Sequence, residues 1–310
     1  MKFLNNDVSF YKVIKSVSSI TLIPESIIEK DYYVFMALKL MYSQNNEVMF
    51  KGGTSLSKAW RVLNRFSEDI DLNLRPEVPS TDSHRTKLAN SVRFALDTLD
   101  LDYDKSSIYS RREYNTVLAK YNCSNKSSYL LSDLKIETMA NKRGKILNAT
   151  YANLPISNYI WDAMGSNPKY RHVLVSFGLE PFYMPVQNMD VTFVEKVMSL
   201  TNNYIKDRSE RLSRHLYDIY CMGMFGNLMS FNLASTMSLT KKYLMERKND
   251  ICFRQGRPAS QILIEALRCD FYLYDFNNLT TAMKFSKNDG ITYEMCRDYL
   301  LQLATNLGTF

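Results

Sequence analysis

The chain predicts an α+β protein, with a small mixed or antiparallel sheet and flanking helices over residues 1–185 and a helical C-terminal domain over residues 186–310. Three observations carry that prediction. Between Glu47 and Leu74 a short apolar strand, a glycine pair, a helical stripe and a second strand follow one another closely. Stretches from about Glu113 to Asn122 and from Tyr129 to Met139 read as two strands of a hairpin, joined by the turn-rich residues 122–128. From Asp190 onward apolar residues recur almost wholly at helical spacing.

Taken in order, residues 1–44 are helical in at least two pieces separated near Pro24, which suits the first turn of a new helix. Ile27, Ile28, Tyr32, Phe35 and Met36 form the apolar side of the second piece. Glu29, Lys30 and Asp31 fall on the remainder, where a solvated, salt-bridged face is the simplest reading. Val48, Met49 and Phe50 make the first strand, and Gly52-Gly53 turn the chain. Thr54 and Ser55 are placed to start and cap a helix whose buried face is Leu56, Ala59, Trp60 and Leu63. A period-2 run follows, with Asp69, Asp71 and Asn73 to one side and Ile70, Leu72 and Leu74 to the other.

Arg75 to Ser83, with Pro76 and Pro79, reads as a loop, and Arg85 to Leu99 as an amphipathic helix covering one face of the sheet. In the second strand of the hairpin, Leu134 and Ile136 alternate with Lys135 and Glu137, so the two charged side chains share a face. Asn153 to Pro185, interrupted by Pro155, Pro168, Pro181 and Pro185, reads as an irregular crossing. In the helical part, Phe193, Val194, Val197, Met198 and Thr201 form a stripe with Lys196 off it. In the next helix Leu212, Leu216 and Ile219 oppose Arg211, Arg214 and Asp218; an i, i+4 surface salt bridge accounts for Arg214 and Asp218.

An apolar share of 45% with 23% charged residues fits a globular protein and excludes a disordered or fibrous one. The net charge of +7 points to a polyanionic partner or to a solvated basic surface. The basic cluster Lys142, Arg143 and Lys145 reads either as a solvated loop or as a track for an RNA backbone; Lys241, Lys242, Arg247 and Lys248 form another. Five scattered cysteines without a Cys-x-x-Cys pair indicate neither zinc nor a disulfide framework. Asn5, Asn6 and Asp7 stand where a leader would need its apolar core, and no apolar run reaches a membrane span, so a cytoplasmic protein without membrane contact is expected. His84, His172 and His215 are too scattered for a histidine metal site, and no serine or cysteine triad can be argued from spacing.

The chemistry that suits two carboxylates on one strand face is metal-assisted attack on a phosphate. Residues two apart on a strand lie ~6–7 Å apart at Cα, so Asp69 and Asp71 can converge on Mg²⁺, or on Mn²⁺ in its place. Backbone N–H groups at Gly52 and Gly53 can approach an anion closely, and the hydroxyls of Thr54 and Ser55 can hydrogen-bond phosphates. Singly, each motif also reads as a solvated strand edge or a tight turn; their conjunction favours the site. Glu137 would complete a metal set or act as general base, unless it is an ordinary exposed strand residue.

Lys51-Gly-Gly-Thr-Ser-Leu-Ser-Lys58 followed by Arg65-Phe-Ser-Glu-Asp-Ile-Asp-Leu72 resembles the first motif of the AbiEii/AbiGii toxin family of nucleotidyltransferases, within the polymerase-beta-like superfamily. Further matches are Glu29-Lys-Asp-Tyr-Tyr33, Leu134-Lys-Ile-Glu137, Val194-Glu-Lys-Val197 and Arg214-His-Leu-Tyr-Asp218. The resemblance places Glu137 in the third acidic position, which many related enzymes fill with Asp. It makes Lys30 part of a helix supporting the site, turns Lys196 toward nucleotide phosphates, and pairs Arg214 with Asp218. His215 then reads as a phosphate donor or as a packed helix residue.

The catalytic set implied is Asp69, Asp71, Glu137, Lys196 and Asp218, with Asp69, Asp71 and Glu137 on the metal. The nucleotide-binding set is Lys51, Gly52, Gly53, Thr54, Ser55, Ser67, Lys196 and Arg214, and the helical domain is expected to complete the site. The expected activity is transfer of a nucleoside monophosphate from an NTP to an acceptor hydroxyl on RNA, with tRNA as the acceptor in studied relatives and a separately encoded antitoxin as partner. A kinase-like phosphotransferase and a nucleotide- or RNA-binding regulator without turnover are the alternatives. The Walker glycine-lysine order is absent.

Overall fold

The computed structural model describes residues 3–109, 113–122, 130–140, 150–226, 232, 234–239, 257–285 and 289–307. By its contacts the chain divides into two compact units. The first holds Met1–Ala59, Ser67–Gly144 and Tyr151–Val186; the second holds Trp60–Phe66, Lys145–Thr150 and Gln187–Phe310.

The first unit is built on a seven-stranded mixed sheet of order β3-β4-β5-β2-β1-β7-β6. The strands are β1 (Val48–Lys51), β2 (Ile70–Leu74), β3 (Asp102–Tyr103), β4 (Tyr114–Lys120), β5 (Asp133–Met139), β6 (Tyr151–Ile156) and β7 (Phe182–Gln187). The α+β class and the mixed sheet are as expected, but the sheet is larger. Asn153 to Pro185 is not an irregular crossing. It supplies β6 and β7, with α5 (Tyr159–Met164) and α6 (Pro168–Ser176) between them. Two of the prolines that suggested irregularity sit where the fold tolerates them, Pro155 on edge strand β6 and Pro168 at the first turn of α6, while Pro185 lies in β7, between β1 and β6.

The alternation read from the sequence sets the two faces of the sheet. Ile70, Leu72, Val117, Ala119, Leu134 and Ile136 are all buried on one side. Helices α1 (Phe10–Thr21), α2 (Glu25–Gln44) and α4 (Asp82–Thr98) belong to this unit; α2 packs against α1, α4 and β5. The α4 helix starts three residues before its expected first residue because Thr81 caps it, accepting from the backbone N–H of His84. Pro24 stands immediately before α2, and Leu22 in the left-handed region (φ 60°) ends α1.

The helix after the glycine pair, α3 (Gly52–Lys58), starts earlier and ends earlier than its apolar spacing predicts. Ala59 is already its C-cap, and Arg61 takes a left-handed φ of 55°. Trp60 and Leu63 are buried nonetheless. The Trp60 indole donates to the Gln187 carbonyl at 3.0 Å, within the second unit.

That unit contains α7 (Met189–Ile205), α8 (Arg214–Phe225), α9 (Ala259–Arg268) and α10 (Tyr293–Leu307). Val191, Val194, Met198, Ala259 and Ile262 form a core between α7 and α9. Asp275 caps the start of α8, accepting from the backbone N–H of Arg211 at 2.8 Å and from the Ser213 hydroxyl at 2.6 Å. The basic cluster at Lys142, Arg143 and Lys145, the second cluster at Lys241, Lys242, Arg247 and Lys248, most of the turn 122–128, and Cys123 and Cys252 lie outside the described residues. Cys221, Cys269 and Cys296 are free thiols. Among the described residues no helix is long and apolar enough to cross a membrane.

Candidate active site

The first unit brings the acidic strand residues together by register. β2 runs antiparallel to β1, with Asp71 opposite Lys51. It runs parallel to β5, with Asp71 beside Glu137, and β5 in turn sets Glu137 opposite Thr116 of β4. Lys51, Asp71, Glu137 and Thr116 therefore form one row across four strands, and directly paired residues face the same side of a sheet. Asp69 lies two residues before Asp71, at the entry to β2.

Electrostatics follow from that row. Burial raises the Asp71 carboxyl, and the negative charges of Glu137 and Asp69 raise it further, to about 7. Burial acts the same way on Glu137 but is outweighed, because Lys135 sits 2.6 Å away and, with hydrogen bonds from Tyr114 and Asp71, holds the carboxylate below its ordinary range. Asp71 and Glu137 are thus in hydrogen-bond contact. Lys135 and Tyr114 were absent from the expected site. The i, i+2 alternation places Lys135 on the face of Glu137 without giving it a role; Tyr114 depends on the β4–β5 register, which no local pattern specifies.

Gly52 is required by its neighbour. Its φ is +75°, and a Cβ built there would stand 2.0 Å from Asp71 Oδ2. The glycine turn and the carboxylate strand therefore touch.

The hydroxyls expected to bind phosphate point elsewhere. Thr54 is fully buried, its Oγ1 donating to the backbone carbonyl of Asp69 and lying 3.0 Å from Ser67 Oγ. Ser55, also buried, donates to the Gly52 carbonyl at 2.8 Å. Because α3 begins at Gly52, both residues sit inside its first turn, and Thr54 and Ser67 brace the acidic strand from behind. Lys51 is buried, with Nζ 3.8 Å from Met139 Sδ.

Glu29, Lys30 and Asp31 are not a solvated face. All three are buried. Lys30 Nζ lies 2.7 Å from Glu68 Oε2, with both side chains at 0% exposure, and also donates to the Leu131 carbonyl at 2.6 Å. Glu68 accepts from the Leu131 N–H as well, at 2.9 Å. Asp31 pairs with Lys58 at the end of α3 and accepts from the Tyr159 N–H at 2.9 Å. These pairs tie α2 to the segment just before Asp69 and to the glycine helix.

In the second unit Asp218 is the hub of a buried network. Arg65 grips it with both arms of its guanidinium, Nε to Oδ1 at 2.7 Å and Nη2 to Oδ2 at 2.6 Å. Lys196 Nζ adds a contact of 2.8 Å and lies 3.3 Å from His215 Nδ1. Lys196 is therefore buried and paired, not solvent-facing. Burial pushes Asp218 up, but Arg65 and Lys196 more than offset this and hold it well below the carboxylate range. Burial, and then the Lys196 charge, push His215 well below its ordinary range, which makes it a neutral, packed imidazole. Arg214 Nε donates to the Arg211 carbonyl at 3.0 Å.

The donor set fits a divalent cation on one observation: a buried carboxylate whose proton affinity is raised by two like charges is the arrangement that such an ion relieves. Among the described residues no group of three or more acidic, histidine or cysteine side chains is placed to hold a metal ion. Mg²⁺ does not need one, since it is held by one or two carboxylates together with substrate phosphates and water.

Among solved structures, the chain is similar to MenT4, a nucleotidyltransferase toxin from Mycobacterium tuberculosis, at 15% identity with a TM-score of 0.55, covering 94% of this chain and 89% of that one. At that identity the likeness is one of fold. A protein of H. pylori described as a candidate nucleotidyltransferase also matches, at 15% identity over 90% of this chain and 94% of that one, with a TM-score of 0.44 too low to carry argument. No curated protein matches the chain in sequence. The family model described as nucleotidyl transferase AbiEii toxin, type IV toxin–antitoxin system, matches residues 40–283, from α2 through both acidic strands to the end of the Asp218 network. Over that span the chain is a member of the AbiEii nucleotidyltransferase toxin family.

Proposed function

We propose that this toxin moves a nucleoside monophosphate from an NTP to a hydroxyl of an RNA acceptor, tRNA included, in a reaction that needs a divalent metal, with Mg²⁺ or Mn²⁺ in that role. The observation that carries the reading is the contact of Asp71 with Glu137 in one sheet row, directly against Gly52. Of the three carboxylates expected on the metal, Asp71 and Glu137 are the pair that would hold the ion. When bound, it supplies Lewis-acid stabilisation of charge on the reacting phosphate.

The chain's own residues do the rest. Gly52 and Gly53, without side chains, would let backbone N–H groups approach the triphosphate. Thr54 and Ser67 act by fixing the backbone that carries Asp69. Lys196, held by Asp218, and Arg214 are the cations proposed to offset triphosphate charge. A separately encoded antitoxin in the cytoplasm would restrain the activity, in keeping with the family's type IV toxin–antitoxin description.

The test is incubation of the full chain with each α-labelled NTP and total RNA, with and without divalent metal, beside an Asp71→Asn variant. Metal-dependent label on RNA that the variant lacks, with pyrophosphate released, is the expected result. ADP as product would favour a phosphotransferase. A wild-type phenotype from Asp71→Asn in cells would favour a binding regulator.

A further inference from the structure

The sheet face that carries the carboxylates continues past them onto β4. There Asn115, Val117 and Ala119 are buried while Tyr114, Leu118 and Lys120 are exposed. Tyr114 is 47% and Leu118 51% exposed, on a strand whose other face is packed. Thr116 stands opposite Glu137, and Leu118 opposite Lys135, so Tyr114 and Leu118 flank Glu137 on its own side of the sheet. The Tyr114 hydroxyl hydrogen-bonds Glu137, which sets its ring beside the acidic row. Beyond that row, among the described residues, strand pairing sets Asp102, Lys120, Asp133 and Lys135 on this face, with Lys120 opposite both Asp102 and Asp133.

We propose that Tyr114, Leu118 and Lys120 seat the single-stranded end of the RNA acceptor, its terminal base stacked on the Tyr114 ring and its hydroxyl brought to the Asp71–Glu137 pair. The proposal rests on the RNA-transfer reading above. Proteins hold single strands without reading sequence by stacking bases on aromatic faces and meeting the backbone with cations; here Tyr114 and Lys120 stand at the two ends of β4, about 20 Å apart. Two apolar groups interrupted by Thr116 are too small for the core of a protein interface, which needs a continuous dry patch. The net charge of +7 favours a polyanion over a basic partner.

The experiment uses the full chain with a fluorescent, unstructured single-stranded RNA bearing a free 3′ hydroxyl. Anisotropy gives RNA affinity, a labelled NTP gives nucleotide affinity, and thermal melting reports folding. Tyr114→Ala and Leu118→Ala should each weaken RNA binding by about tenfold and raise KM for RNA, leaving NTP affinity and melting temperature unchanged. Tyr114→Phe, which keeps the ring and loses the Glu137 hydrogen bond, should retain RNA affinity. Wild-type labelling of RNA with no change in either alanine variant would overturn the seat alone. Labelling of a protein instead of RNA, lost in Tyr114→Ala, would overturn it in favour of a protein acceptor. A wild-type chain that neither binds nor labels RNA would take down the transfer reading as well.

Discussion

Gly52 lies so close to Asp71 that a single methyl group cannot stand between them: the Cβ of any other residue would come within 2.0 Å of Asp71 Oδ2. Its φ of +75° adds backbone strain for every other residue. Gly52→Ala must therefore shift the Asp71 carboxylate from its present place in the row. A displacement of about 1 Å in a catalytic group costs about a hundredfold in rate. Transfer activity should fall by about that factor in steady-state assays while the protein remains folded by circular dichroism.

Thr54 discriminates between binding phosphate and bracing Asp69. With its hydroxyl spent on the Asp69 carbonyl and beside Ser67, Thr54→Val should lower kcat by about tenfold and leave KM for NTP nearly unchanged. Thr54→Ser should restore the rate. An equal rise in KM with kcat intact would assign the hydroxyl to the nucleotide after all.

Lys30 and Glu68 form an ion pair with no solvent contact. Removing one partner strands the other charge, so Lys30→Met should destabilise the fold by about 3–5 kcal/mol. The double variant Lys30→Met with Glu68→Met should recover part of that loss. Urea denaturation of the four proteins in the cycle measures the coupling, and additive losses would show that the pair contributes nothing as a pair.

Asp218 makes stability depend on acid. Its folded-state carboxyl is held below the ordinary value, after burial is outweighed by Arg65 and Lys196. Such a group contributes stability that is present above its unfolded pKa of about 4 and is lost as pH falls below it. Asp218→Asn should be several kcal/mol less stable at neutral pH, about 3–5, because Arg65 loses a bidentate partner. The gap between wild type and variant should narrow as pH drops below about 4. A gap that stays constant across that range would disprove the linkage.

Local periodicity made much of this readable. The β1–glycine–α3–β2 unit and the β4–β5 pair come from alternation and turn residues that neighbours supply, and the placement of Asp71 and Glu137 on strands, with Asp69 just before β2, follows from the same alternation. What escaped is what depends on distant partners. The partners of Lys30 and Lys58 lie 38 and 27 residues away, so a buried charge looks like a wet one until the fold is known. The parallel pairing that seats Asp71 beside Glu137 is likewise non-local, and so is the meeting of Tyr114 with Glu137. Prolines misled in the stretch that became β6 and β7, because they mark an edge strand and a helix start as readily as a loop.

The excursion of Trp60–Phe66 into the second unit has a consequence for dissecting the molecule. No one scissor point in the polypeptide yields two self-sufficient halves. A fragment stopping at Val186 would still carry Arg65, yet its guanidinium would be shorn of the Asp218 clasp it meets 153 positions downstream. Loss of function in such a fragment would report that severed clasp as much as any missing catalytic group.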